Sequence, residues 1–390
     1  MKIAIITPGG LPVPPLKGGA VENLIYTIIK ENELGRDTLE IDVYSIEDEA
    51  LKANNFSVKN TNYYFIKKEK IRNEFIFKVK TKIRNKLNYS YFLTKSIKLI
   101  KNKMYDFIIV ENRPNYVMKI KNKLDSKIIL HMHNEHLTSF KNYQKAVDAC
   151  YKIIVVSNYI KETIIKKYCV DEEKIRILHN GIDISRFNNR TISNKNILRN
   201  EFDLSGNDFV VLFSGRLVKE KGICELINAI LKCSNIKNLK LLIVGSSWFS
   251  NSNSDNFTDT LKNKTREIED KVIFTGYIDY NQIHNIYKIA DVAVLPSIWN
   301  DPFPLTVLEC MGVGLPVIST KSGGIPEMID NESGILLSID KDIEENIAKS
   351  IEYLFNNTDI MQSMGCKAAE RVQLNFSKEV FYKEFIRILN

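Results

Sequence analysis

Short apolar runs recur along the chain at 2–7, 39–44, 63–66, 107–110, 128–131 and 153–156, and again at 209–214, 241–244, 272–275, 292–295 and 317–319. Each is strand length and ends in glycine, proline or polar residues, while the intervening stretches repeat their apolar positions at helical spacing, beginning with 21–33. This alternation predicts an α/β chain built on mostly parallel, doubly wound sheets. The polar stretch 188–196 separates the two sets of runs and reads as a linker, which predicts Rossmann-like domains at 1–190 and 205–372. Past Glu327 the chain reads as helical over 341–355, 359–372 and 377–389, with Phe381, Phe385 and Leu389 on one helical face, so that 373–390 forms a terminal helix.

Length changes this picture little, since 390 residues with 44% hydrophobic content suffice for two cores. No apolar run approaches the ~20 residues of a membrane helix. Residues 1–7 read as a strand rather than a leader, so the expected location is the cytoplasm. The six cysteines show no paired spacing and read as buried thiols. Charge is uneven: 59–127 holds nineteen Lys or Arg against five Asp or Glu. Within it, 72–103 is a basic amphipathic segment, for which two readings stand open: docking on an anionic membrane surface, or an ordinary solvated face. Nothing in the charge pattern calls for nucleic acid.

The candidate chemistry is densest at 291–327, DVAVLPSIWNDPFPLTVLECMGVGLPVISTKSGGIPE. Pro304 suits the first helical position, leaving the amides of Leu305 and Thr306 unpaired at a helix mouth that attracts phosphate. Asp301 lies in that mouth and Glu309, eight residues later, over a turn into the helix, and a carboxylate accepts hydrogen bonds from vicinal hydroxyls. Phosphate donors between two hydroxyl acceptors describe a nucleotide-diphosphate sugar. The plainer alternative is that Asp301 caps the helix and Glu309 is solvated.

Three further segments carry polar residues at strand ends. After the run 209–214 comes Gly215-Arg216-Leu217-Val218-Lys219-Glu220-Lys221-Gly222, whose Arg216 and Lys221 supply cations for a departing diphosphate. After the first strand, Gly18 and Gly19 permit close backbone approach before a helix. His131-Met132-His133-Asn134-Glu135-His136 suggests a metal, but shows no obvious carboxylate partner and lies at a strand end, where parallel sheets line a ligand crevice. Ser157 reads best as a helix N-cap, and Tyr277, after the run 272–275, has core packing as its plain reading. The polar loop 246–255 with Trp248 has no legible role.

These segments, together with Asn180-Gly181-Ile182-Asp183 and Phe187, resemble in order the motifs of the retaining glycosyltransferases of family 4. The resemblance implies the GT-B fold: two facing Rossmann-like domains, the first on the acceptor side and the second binding the nucleotide sugar, with the last helix crossing back to the first. It implies transfer of a sugar, with retention, from a nucleotide-diphosphate sugar (UDP favoured over GDP) to a hydroxyl of a glycan or lipid-linked acceptor in surface-polysaccharide or glycoconjugate synthesis, without a metal or other cofactor. By position, Glu309 holds the ribose, Asp301 the donor sugar and Arg216 with Lys221 the pyrophosphate. The amides after Pro304 and the Gly18–Gly19 loop face the phosphates, Tyr277 the base, and His133 the transferred sugar, with His131 turned to the core. Asp301 stands where the family usually has Glu, and Pro304 where Gly is frequent. The rival readings are a nucleotide-sugar epimerase or phosphorylase of the same fold, and a non-catalytic coat or polysaccharide-associated protein. Intact Arg216, Lys221 and Glu309 argue against the latter.

Overall fold

A computed structural model describes residues 1–35, 39–52, 58–67, 91–139, 141–187, 195–246 and 256–390. The chain forms two compact units, one of Met1–His179 with Tyr382–Asn390, the other of Asn180–Phe381.

The first unit holds a seven-stranded sheet of β1 (Lys2–Ile6), β2 (Glu40–Ile46), β3 (Thr61–Ile66), β4 (Phe107–Glu111), β5 (Lys127–Met132), β6 (Lys152–Val155) and β7 (Ile175–Ile177), in the order β3-β2-β1-β4-β5-β6-β7. All its pairings are parallel. The second unit holds β8 (Phe209–Ser214), β9 (Leu239–Val244), β10 (Val272–Gly276), β11 (Val292–Leu295), β12 (Val317–Thr320) and β13 (Gly334–Leu337), ordered β10-β9-β8-β11-β12-β13 and likewise parallel. Helices cover both faces of such sheets, which is why their strands are apolar without alternation; β4 and β8 are buried along their whole length. In both sheets the winding reverses beside the first strand, between β1 and β4 and between β8 and β11. There the connecting helices part and the carboxyl ends of the strands open a crevice.

The observed strands contain or closely overlap the predicted ones. Two were missed, β7 and β13, both short and at sheet edges. The second corrects the expectation that everything past Glu327 is helical: Gly334–Leu337 pairs with β12 in register, and four residues are too few to show a period. The basic amphipathic stretch over 72–90 and the Trp248 loop at 247–255 lie outside the described residues. Within the basic stretch, Lys103 is not a solvated cation. It pairs with buried Asp42 at 2.8 Å and lies 3.6 Å over the Tyr64 ring. The thiols are also less uniform than expected, Cys169 and Cys366 being exposed.

The passage between units is stitched within the second one. Ile182 donates its amide to the Phe376 carbonyl at 2.9 Å and accepts from Lys378 at 2.9 Å, beside a parallel bridge to Ser377. Asn180 donates to the Phe303 carbonyl at 2.9 Å, fixing this passage to the loop that carries Asp301.

The last two residues of the segment read as linker, Lys195 and Asn196, open the helix Lys195–Asn200, where Lys195 Nζ donates to Asp291 Oδ1 at 2.9 Å. Arg199, on the helix Lys195–Asn200, is 3% exposed and donates to Ile289 O at 2.9 Å, to Ser205, Gly206 and Asp208 carbonyls at 3.1–3.3 Å and to Asp291 Oδ2 at 2.8 Å. A guanidinium so enclosed leaves several buried acceptors unpaired when removed. Arg199→Met is therefore expected to lower unfolding free energy by about 3–5 kcal/mol in chemical denaturation; a loss below ~1 kcal/mol would show that the carbonyls find other donors.

Candidate functional site

In the second unit, Lys221, Asp301, Pro304 and Thr306 line one pocket, together with Ser214 and Ser297. Each arrives from a strand end at the winding reversal. Ser214 ends β8, Lys221 follows in the 3-10 turn Lys219–Lys221, and Ser297 and Asp301 follow β11. Asp301 is held from behind: its carbonyl accepts the Gly324 amide at 2.8 Å, and a Cβ on Gly323, whose φ is +54°, would lie 2.1 Å from that carbonyl oxygen. A side chain at 323 would push Asp301 off its seat.

Lys221 Nζ donates to Asp301 Oδ2, a pair whose side chains are 21% and 8% exposed. Two residues given separate roles by the sequence thus meet directly. The helix Leu305–Gly312 begins beside them. Pro304 proves to be the N-cap, with extended backbone, one position earlier than predicted, and no side chain caps this end. Asp301 is therefore not a capping residue. The first amide to close a turn is that of Val307, onto Pro304 O at 3.2 Å, so the amides of Leu305 and Thr306 precede the intrahelical ladder.

Glu309 overturns the solvated alternative, being only 3% exposed. It does not line the pocket but sits behind it: Tyr287 Oη donates to Glu309 Oε2 at 3.2 Å and meets Ser214 Oγ at 2.7 Å, and Tyr280 adds a second hydrogen bond. Burial pushes the Glu309 carboxyl up to about 7 against the opposing pull of the two tyrosines. Arg216 is exposed and makes no ion pair among the described residues. Tyr277 is 45% exposed, which removes the core-packing alternative, and it does not reach the pocket. The tyrosines around Glu309 were missed because they lie on a separate segment and helix, 29 and 22 residues upstream.

In the first unit, Gly19 is the N-cap of the helix Ala20–Leu34, with φ +104°, and a Cβ there would stand 2.3 Å from Glu22 Oε2. Gly18 precedes it with φ +73°. Glu22, absent from the sequence reading, is buried, and desolvation pushes its carboxyl up to about 7 although the amides of Glu22 and Leu11 bond to it. Ser157 caps its helix as expected, accepting from the Ile160 amide.

His131 is buried, as expected, and His133 follows β5. The expectation that these histidines lack a carboxylate partner is wrong. Glu111 ends β4 in register with His131, and its Oε2 lies 2.8 Å from His133 Nε2 and 3.2 Å from His131 Nδ1. The signal was a lone acidic residue closing the apolar run Phe107–Glu111, one strand away. Desolvation works against the Glu111 charge, but the two imidazoles outweigh it and hold the carboxyl at about 2.

A family model described as "Glycosyl transferases group 1" matches residues 194–371, and one described as "Glycosyltransferase Family 4" matches 33–186. The chain is 27% identical to putative glycosyltransferase YtcC of Bacillus subtilis (97% of this chain, 89% of that protein) and 27% identical to spore coat protein SA of the same organism (96% of each). It is 25% identical to a lipopolysaccharide 1,2-N-acetylglucosaminetransferase of Salmonella typhimurium (81% and 79%). Among solved structures, that of Anabaena Alr3699/HepE in complex with UDP-glucose superposes with a TM-score of 0.76 at 19% identity, over 100% of this chain and 99% of that one.

Buried Glu309 carries a stability consequence. Its carboxyl binds a proton more readily in the folded chain, about 7 against 4.5 ordinarily. The folded state therefore holds the extra proton between those values, and stability falls as pH rises through that window. Glu309→Gln keeps an acceptor for the tyrosines without the charge. It is expected to raise unfolding free energy at pH 8 by up to roughly 3 kcal/mol, from about 1.4 kcal/mol per pH unit, with the gain gone near pH 4.5. Melting curves across that range that run parallel for both proteins would contradict this.

Proposed function

The chain belongs to the family 4 glycosyltransferases of GT-B fold, and from that premise we propose that it moves a sugar, with retention of configuration, from a UDP-sugar to a hydroxyl of a glycan or lipid-linked acceptor in surface-polysaccharide synthesis. The observation that carries this reading is the shared pocket of the second unit: a cation, a carboxylate and the open first turn after Pro304 at one mouth, with a carboxylate buried behind them. UDP is preferred because the structural relative HepE is described with UDP-glucose. A polysaccharide-type acceptor is preferred because a relative acts on lipopolysaccharide.

In this reading, Lys221 and the amides of Leu305 and Thr306 receive the diphosphate, and Arg216 swings onto it from the surface. These groups act most strongly once the sugar–oxygen bond has parted and charge has gathered on the leaving UDP. Asp301 turns its free oxygen to hydroxyls of the donor sugar while its other oxygen steadies Lys221. Glu309 takes the ribose, and His133 attends the transferred sugar. No metal or cofactor is called for. No helix among the described residues is long and apolar enough to cross a membrane; the proposed setting is the cytoplasm, at the inner face of the membrane, with the lysines of 59–127 drawn to anionic lipid.

The Lys221–Asp301 pair gives this proposal a sharp test. Lys221→Ala and Arg216→Ala are each expected to weaken UDP binding about 10- to 150-fold, the worth of one charge-assisted bond of roughly 1.5–3 kcal/mol, while sparing uridine. Asp301→Asn releases Lys221 from its partner, so UDP is expected to bind at least as tightly as to the wild type while sugar transfer falls. Calorimetry with uridine, UDP and a UDP-sugar panel reads all three. Equal losses for uridine and UDP, or no binding of any UDP compound, would sink the assignment.

A further inference from the structure

We propose that Glu111 is a positioning residue that locks His133 in one tautomer, with the proton on Nε2 and a bare lone pair on Nδ1, so that His133 serves the transferred sugar only as a hydrogen-bond acceptor. The inference rests on the reading of His133 as the group beside that sugar and adds to it the direction of the hydrogen bond.

The argument begins at the strand ends. Parallel pairing places Glu111 of β4 opposite His131 of β5, and two residues later His133 leaves the strand, its amide held by Asn112 Oδ1 at 3.3 Å. One carboxylate oxygen of Glu111 then touches a nitrogen of each ring, His133 Nε2 at 2.8 Å and His131 Nδ1 at 3.2 Å, with the ring centroids 4.1 Å apart. An ionised carboxylate only accepts, so the nitrogen facing it on each ring is an N–H. The same group therefore sets opposite tautomers: Nδ1–H on His131 and Nε2–H on His133.

The other nitrogen of each ring is left as an acceptor without a donor. His131 Nε2 and His133 Nδ1 are both buried and without a partner among the described residues, as is Thr7 Oγ1 at the end of β1. An unmet buried acceptor is costly until a donor arrives. Burial, aided by the neighbouring His131, pushes the His133 imidazole down to about 4, so Nδ1 is unprotonated at neutral pH. Glu22, Arg113 and His131 are the other ionisable groups of this neighbourhood. The three clustered groups also have the identities of metal ligands. However, ligands around a tetrahedral ion with bonds of about 2.0–2.1 Å stand roughly 3.3 Å apart, and 2.8 Å between His133 Nε2 and Glu111 Oε2 is the length of an N–H···O bond. A hydroxyl is the donor that a bare imidazole nitrogen takes, and an anionic substituent of the sugar is repelled there.

Long-range proton–nitrogen NMR on the full chain labelled with nitrogen-15 histidine reads the tautomer without any ligand, with His131→Ala and His133→Ala providing assignments. The wild type at pH 7.5 is expected to show His133 as the neutral Nε2–H form. In Glu111→Gln the amide both donates and accepts, so at least one of the two rings is expected to change tautomer or interconvert. UDP release from the UDP-sugar chosen by the panel should fall at least tenfold in kcat in Glu111→Gln, with KM for that sugar little changed. The loss should match that of His133→Ala, and the double variant should show no further loss. Glu111→Asp, which keeps the charge, should retain the His133 tautomer and recover part of the rate, separating positioning from misfolding. An Nδ1–H or doubly protonated His133 in the wild type, an unchanged tautomer pair in Glu111→Gln, or stoichiometric metal in the purified protein would overturn the proposal. Unaltered kcat in His133→Ala, with the tautomers as expected, would instead remove His133 from the sugar.

Discussion

Both sheets are covered on two faces, and that constraint organises everything polar in this protein. A strand buried on both sides admits a charge along its length only where that charge is paired, as Asp42 of β2 is with Lys103, so the polar groups of both sites collect where the strands end. The reversal of winding decides which ends remain accessible. Ser214, Lys221 and Asp301 gather beside β8 and β11, and Glu111 and His133 beside β4 and β5. Neither cluster is an addition to the fold. Each stands where a parallel sheet leaves room for groups that need water or a ligand.

Three buried carboxylates meet their surroundings in different ways. Glu111 keeps its charge because two imidazoles touch it. Glu309 has only phenolic hydroxyls and Glu22 chiefly backbone amides, so both have carboxyl values near 7. On the proposed reading, the energy stored in Glu309 is released when vicinal hydroxyls of the ribose reach it. A residue that weakens the empty protein thereby strengthens the occupied one, a common trade at binding sites.

Strands were legible because each compresses a complete burial pattern into four to seven apolar residues, and the helix mouth after Pro304 was legible because proline and a following apolar run mark it locally. The site residues were legible by type and by order. Their partners were not. Lys221 meets Asp301 across 80 residues, and His133 meets Glu111 across a strand pairing. Such contacts depend on which strands are neighbours, which no local period reports. Arg199 shows the same limit: it lies just past the polar stretch read as linker, and nothing local reports the carbonyls that enclose its guanidinium.

The last helix, Lys378–Leu389, belongs to two bodies. Its first turn is sewn to Ile182, whereas Phe385, Ile388 and Leu389 are buried in the first unit, where Tyr382 Oη reaches Asn32 at 2.8 Å. The second unit is therefore continuous in the chain and the first is not. During synthesis the first unit has all its strands by residue 177 yet waits more than two hundred residues for its final piece, while the second unit completes itself in one uninterrupted stretch. Damage to Tyr382–Asn390 accordingly falls on the body that was made first.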